Sequence, residues 1–209
     1  MAASVLGLIL AGGLGRRMGG VDKTLLPLGG RPILARIAER LRPQCPAGLA
    51  LSANGDPARF AEAFDGPVLP DSVPDLPGPL AGILAGLEYG AASGDVTHVL
   101  SVPGDAPFLP ENLVARLVAS LGPAPVAVAA SGGREHYTAA LWSVALQDDL
   151  RAWLAAGERR VGAFIARHGA GVVNWPTEPV DPFLNLNAPE DFARAEGIVS
   201  NCSPPSASG

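Results

Sequence analysis

Residues 4–11 read SVLGLILA and run straight into a glycine-rich, basic stretch, GGLGRRMGGVDK. The apolar run does not alternate with polar residues, so both of its faces must be covered, which is the situation of a strand inside a parallel sheet. Parallel strands need crossover connections, usually helices. This one segment therefore predicts an α/β chain with a mostly parallel central sheet between helices. The rest of the sequence supplies the alternation. Ile33, Leu34, Ile37, Ala38 and Leu41 space a helix over 32–41, with a proline near its first turn. Apolar strands are expected over 48–53, 67–69, 97–102, 125–130, 136–142 and 171–175. Helices are expected over 80–91, 110–121, 143–156, 160–167 and from the Asn187-Ala188-Pro189-Glu190 start to 196. Residues 12–31 read as one long loop, and 201–209 (NCSPPSASG) as a disordered tail.

A chain of 209 residues suits one α/β domain or a small pair of subdomains. The net charge of −5 argues against nonspecific nucleic-acid binding, which draws most of its affinity from a basic face. Two cysteines, Cys45 and Cys202, are too few for a disulfide framework or a thiolate metal site. No apolar run approaches the roughly 20 residues of a membrane span, and the N-terminus lacks a signal-peptide pattern. The expectation is a cytoplasmic enzyme with neither nucleic acid nor membrane as partner.

In α/β sheets ligands bind beyond the carboxyl ends of strands. Gly12 and Gly13, Ser52 to Asn54, Asp71 and Asp105 all follow predicted strands directly. The first loop fits neither of two common phosphate motifs. A Walker A needs glycine before its lysine, and Asp22 precedes Lys23; a dinucleotide fingerprint begun at Gly13 and Gly15 would put its third glycine at Met18. Its composition still suits phosphate, because glycines expose backbone N–H groups while Arg16, Arg17 and Lys23 supply charge.

The string Leu10-Ala11-Gly12-Gly13, Arg16/Arg17-Met18-Gly19, Lys23 and Leu26 resembles the signature of nucleoside-triphosphate:substrate nucleotidyltransferases with a Rossmann-like, three-layer fold. Further along come Asp71-Ser72, Pro77-Gly78-Pro79-Leu80-Ala81-Gly82 and Pro103-Gly104-Asp105-Ala106-Pro107. These are followed by Gly157-Glu158-Arg159-Arg160-Val161 and Asn185-Leu186-Asn187-Ala188-Pro189-Glu190. With these the chain resembles the molybdenum cofactor guanylyltransferase family over all but its tail. Two positions depart from that pattern: Ser52-Ala53-Asn54 where the family often has N-A-N, and Tyr137 where it commonly has proline after histidine.

The resemblance implies GMP transfer from GTP to the terminal phosphate of molybdenum-bound molybdopterin, with pyrophosphate released and transient partners in cofactor biosynthesis or delivery. It implies one nucleotidyltransferase domain over 1–200, with a nucleotide half to about 108 and an acceptor half beyond. Lys23, Asp105 and Arg17 would be catalytic. GTP would be held by Leu10, Ala11, Gly12, Gly13, Lys23, Ser52, Asn54, Asp71 and Asp105, and the acceptor by Arg159, Arg160, Asn185 and Asn187. Asp105 would hold Mg²⁺, with Mn²⁺ as the alternative ion. In-line transfer to phosphorus needs positioning and charge neutralisation rather than a protein nucleophile, so the lack of a Ser/His/Asp or Cys/His set is no objection.

Each residue also has a plainer reading. Asp105 in P-G-D-A-P suits a turn or cap, and Asp71 an Asx turn. Lys23, Arg159 and Arg160 suit solvated surface cations. Asn54-Gly55 is an ordinary turn signal, and for Asn187 capping of the following helix is the favoured role. No metal-ligand spacing links the three histidines. A CTP-using sister enzyme, such as a molybdopterin cytidylyltransferase or an alcohol-phosphate cytidylyltransferase, or a noncatalytic nucleotide-binding module would share the first motif. The P-G-P-L-A-G and G-E-R-R segments favour the guanylyl branch, and the presence of both Lys23 and Asp105 favours turnover.

Overall fold

The computed structural model describes residues 3–11, 22–73 and 78–202. Among these the elements are β1 (Val5–Leu10), β2 (Pro27–Leu28), β3 (Arg31–Pro32), α1 (Ile33–Leu41), β4 (Leu49–Ser52), β5 (Val68–Leu69), α2 (Pro79–Ala92) and β6 (His98–Pro103). They continue with α3 (Leu113–Ser120), β7 (Val126–Ser131), β8 (Arg134–Ser143), α4 (Gln147–Ala155), α5 (Val161–His168), β9 (Gly171–Trp175) and α6 (Pro189–Cys202). Seven strands form one sheet in the order β5-β4-β1-β6-β8-β7-β9, while β2 and β3 pair separately.

The first four strands of that order are parallel to one another, and β9 is parallel to β7. Only β8 runs against its neighbours, β6 and β7. Its direction follows from the two-residue link Gly132-Gly133, where both φ angles are positive, 55° and 76°. Such a primed turn reverses the chain tightly and is cheap only for residues without a Cβ.

Along β1 the side chains alternate between two cores. Val5 and Ile9 pack with Ile33, Leu34 and Ile37 of α1 and Leu113 and Leu117 of α3. Leu6 and Leu8 pack with Leu80, Ile83 and Leu87 of α2, Leu150 of α4 and Phe164 of α5. Burying one such side chain is worth about 1.5–3 kcal/mol. The result is the three-layer, mostly parallel α/β arrangement expected from the first strand.

Several element boundaries differ from expectation. The described part of the 12–31 loop holds a 3₁₀ turn (Lys23–Leu25) and the β2–β3 pair. The helix expected from 110 starts at Leu113, because Pro110 and its neighbours turn and the Asn112 side chain accepts from Trp175 Nε1 instead of capping. The 143–156 helix is split by a 3₁₀ turn, Val144–Leu146, with the Ser143 hydroxyl accepting from Ala145 N. The last helix passes 196 and runs through Cys202, because Phe192 and Val199 pack against the core and Glu196 accepts from Gly29 N at 2.9 Å. Residues 201 and 202, expected in the tail, are thus helical, and 203–209 lie outside the described residues. Among the described residues no helix is long and apolar enough to cross a membrane.

Candidate functional site

Strand register brings the loops of one edge together. Leu10 pairs with Ser52 on one side and Pro103 on the other, and Ser52 pairs with Leu69. The chain therefore leaves β5, β4, β1 and β6 side by side, carrying Asp71, Asn54, Ala11 and Asp105 along the carboxyl edge. After β5 the chain crosses β1 to reach β6, so the crevice between β1 and β6 is the topological switch point, where open α/β sheets bind ligands.

On the β6 side the backbone is tightly seated. Gly104 N donates to Leu10 O at 3.0 Å. A Cβ on Gly104 would lie 2.9 Å from that oxygen and 2.8 Å from Thr24 Cγ2, so a larger residue would push Asp105 off its seat. Asp105 is half-buried. Burial pushes its carboxyl above the usual carboxylate pKa, while the charge of Lys23 pulls the other way. The turn that presents Lys23 is closed by Asp22, whose Oδ1 accepts from Thr24 N at 3.1 Å and Thr24 Oγ1 at 2.7 Å. Lys23 Nζ donates to both Asn187 O and Asn187 Oδ1 at 3.3 Å. Leu186 N donates to Asp105 O at 2.9 Å, so the segment before α6 is fastened to both residues.

Asn187 is therefore not the cap expected of it. Its oxygens serve Lys23, and Asp191 reaches back to accept from Asn187 N at 2.9 Å and Ala188 N at 2.8 Å. Those two backbone bonds, the first of them with Ala188, lower the Asp191 carboxyl pKa.

On the β4–β5 side, Asn54 and Asp71 bracket each other. Asn54 Nδ2 donates to Asp71 Oδ2 at 2.8 Å, and Asp71 N donates to Asn54 Oδ1 at 2.9 Å. Arg59 joins this pair to the Lys23 turn: its Nη2 donates to Asn54 O at 2.7 Å, and its Nε lies 3.5 Å from Asp22 Oδ2. Ser52 departs from the base-holding role expected of it. It is 2% exposed, and its hydroxyl lies where a Cβ on Gly82 would come within 2.2 Å, so it packs under α2. The backbone of Leu10 and Ala11 is already engaged, with Ala11 N donating to Ser52 O at 2.9 Å. Gly12, Gly13 and Arg17 lie outside the described residues.

Beside this edge is a cavity of about 290 Å³ lined by β8 residues including Arg134, His136 and Tyr137, by Val161 and Gly162 of α5, and by Phe183 and Asn185. Arg159 and Arg160 immediately precede α5 and are exposed; Arg160 lies 3.8 Å from Glu158. Tyr137 packs on Gly162, where a Cβ would come 2.8 Å from its ring. Of the four residues expected on the acceptor side, Asn185 lines the cavity, Asn187 sits at Lys23, and the two arginines lead into α5. Sequence reasoning missed Asp22 and Arg59. The D-x-T spacing of Asp22 and Thr24 was a readable turn signal; Arg59 carries no local mark.

A doubly wound sheet with a half-buried carboxyl and a lysine at its switch point makes this an α/β protein whose ligand crevice can meet a phosphorylated compound. The chain belongs to the family of MobA-like NTP transferases, whose domain matches residues 7–172. It is 55% identical over 195 residues to the molybdenum cofactor guanylyltransferase of Cereibacter sphaeroides, covering 93% of this chain and 97% of that protein. Its fold is similar to the crystal structure of molybdopterin-guanine dinucleotide biosynthesis protein A from Archaeoglobus fulgidus (TM-score 0.73, 22% identity, 94% of this chain and 99% of that one). It is also similar to Rv0371C of Mycobacterium tuberculosis in complex with manganese (TM-score 0.65, 20% identity, 94% and 100%).

Proposed function

We propose that this protein transfers the GMP unit of GTP to the terminal phosphate of molybdopterin, giving the guanine dinucleotide cofactor and pyrophosphate. The observation that carries the reading is the meeting of Asp105, Lys23 and Asn187 at the β1–β6 crevice, in a chain so similar to molybdenum cofactor guanylyltransferases. Residues 1–200 act as one domain, with the nucleotide held by the half up to about 108 and the acceptor by the remainder. The shared seven-stranded sheet supports that division of labour within a single unit.

Lys23 holds the triphosphate and opposes the charge that develops on the departing pyrophosphate. Asp71 keeps Oδ1 for guanine, whose N1–H and 2-amino group form a donor pair that adenine and cytosine do not present. Asn54 fixes the other carboxylate oxygen and so aims the first. Arg159, Arg160, Asn185 and Asn187 face the phosphate and polar edge of the acceptor, while Arg17 with Gly12 and Gly13 attends the phosphates.

The donor set fits a hard divalent cation that arrives on a triphosphate. Asp105 supplies one carboxylate in a place where burial penalises its bare charge. Among the described residues no group of three or more His, Cys, Asp or Glu forms a separate metal cage. Magnesium takes one or two carboxylates and completes its shell with phosphate and water; manganese is the alternative ion. When bound, the cation supplies Lewis-acid stabilisation of phosphate charge. Pyrophosphate release should be measured with GTP, CTP, ATP and UTP, each with and without molybdopterin. Release that requires GTP, acceptor and divalent cation together is expected; equal release with CTP would overturn the guanylyl assignment.

A further inference from the structure

Between β9 and α6 the chain forms a strap over 181–187 that touches both halves of the site. At its far end Leu186 and Asn187 meet Asp105 and Lys23. At its near end Asp181 Oδ1 accepts from Ser131 Oγ at 2.8 Å and from Phe183 N at 3.0 Å. Ser131, at the end of β7, is 2% exposed, and its oxygen lies 2.7 Å from His136 Nε2. A carboxylate only accepts, so the serine proton goes to Asp181 and the serine oxygen receives the Nε2–H of the imidazole. The His136 ring also stacks on Phe183, with centroids 4.7 Å apart and planes 26° apart. Phe183 is itself 4% exposed and packs against Trp175. Two residues on from it, Asn185 lines the cavity.

We infer that His136 is a positioning residue: through Ser131 and Asp181, and by its stack on Phe183, it fixes the 181–187 strap and thereby the placement of Asn185 against the acceptor. The identity of the acceptor rests on the guanylyl-transfer reading; the positioning of the strap does not. Charge at the ring is consistent with this role. Burial holds the His136 pKa below the usual histidine value, with Asp181 opposing and Arg134 assisting.

Three variants separate the contacts. Ser131→Ala cuts the relay, His136→Phe keeps the stack without the donor, and His136→Gln returns a donor near the Nε2 position. Amide spectra of ¹⁵N-labelled protein report the strap without substrate, and initial rates report the reaction. The alanine and phenylalanine variants should shift the amides of Phe183 and Asn185 and raise the KM for molybdopterin about tenfold, the scale of one lost hydrogen bond. The KM for GTP should change less than twofold, and the glutamine variant, which returns the donor but not the stack, should recover part of the molybdopterin KM and of the amide shifts. Unmoved strap amides, or equal losses in both KM values and kcat with no rescue by glutamine, overturn the inference. If wild-type protein forms no dinucleotide, the guanylyl reading fails, and the amide shifts still decide whether His136 positions the strap.

Discussion

Along the carboxyl edge of β5-β4-β1-β6, site residues come from loops leaving parallel strands whose ends are in register. Beside β8 they come from an antiparallel strand, the start of α5 and a connecting segment, three pieces with no shared register. The first region is therefore positioned mainly by the sheet itself, with short polar pairs such as Asn54 and Asp71 refining it. The second depends on a polar relay, Ser131 to Asp181 and His136, to hold its segment in place. The difference teaches where substitutions should act. At the sheet edge, changes should remove one chemical contribution and leave geometry intact; at the cavity, they should move several groups together.

The strongest test of the sheet-edge half is Asp105→Asn. Turnover should fall on the order of 10²-fold or more and the magnesium demand should rise, because the side chain keeps its size but loses the charge that holds the ion. A magnesium titration of initial rate beside wild type reads this out. Burial raises the Asp105 pKa, so its contribution to stability is complete below the unfolded value of 3.8 and is lost as pH rises through the folded value. The Asn variant should therefore melt no lower than wild type at neutral pH without metal. Inactivity together with a marked drop in melting temperature would mean that Asp105 is structural.

Lys23→Ala should weaken GTP binding and turnover by about tenfold or more, since it removes a charge from the phosphates. It also unfastens Asn187, so the acceptor KM should rise by a smaller factor, which calorimetry and initial rates can separate. Equal effects on both substrates would blur the contrast between the two regions.

Asp71→Asn should cut the preference for GTP over ATP and CTP by about tenfold, on the scale of about 1–3 kcal/mol for an unpaired polar contact. Competition assays between nucleotides measure it, and full discrimination in the variant would reduce Asp71 to a turn residue.

The smallest effect concerns pH. Burial lowers the His136 pKa, so its contribution to stability is present above the unfolded value of 6.5 and lost as pH falls from there through the folded value. Melting temperature should decline over that acidic window in wild type and decline less in His136→Gln. Parallel curves for the two proteins would show that the ring carries no linked proton.

The same contrast explains what could be read from sequence. Strand ends at Asn54, Asp71 and Asp105 were legible because unbroken apolar runs mark buried parallel strands and ligands gather where those strands stop. The hairpin at Gly132-Gly133 was not anticipated, and the strand expected from 136 begins two residues earlier, at Arg134, because its first two residues are charged and exposed and carry no apolar signal. Ser52 was misplaced because its neighbours in sequence say nothing of α2, whose Gly82 comes down on it. Asn187 had the sequence of a cap, and a lysine far away in the chain claimed its oxygens instead. Arg59 and the His136 relay were missed for a related reason: each joins nearby residues to one distant carboxylate, Asp22 or Asp181, and no local spacing encodes that link.

Lys23 and Asn187 are separated by 164 positions. During synthesis a ribosome adds residues in order, so the phosphate-facing lysine emerges long before its anchor. Contacts of such separation form late, after the loop between them has closed. A nascent chain halted before residue 187 can lay down β1, β4 and β6 side by side and still leave Lys23 unanchored. The contact that seats the Lys23 ammonium on Asn187 is thus one that can form only near the close of translation.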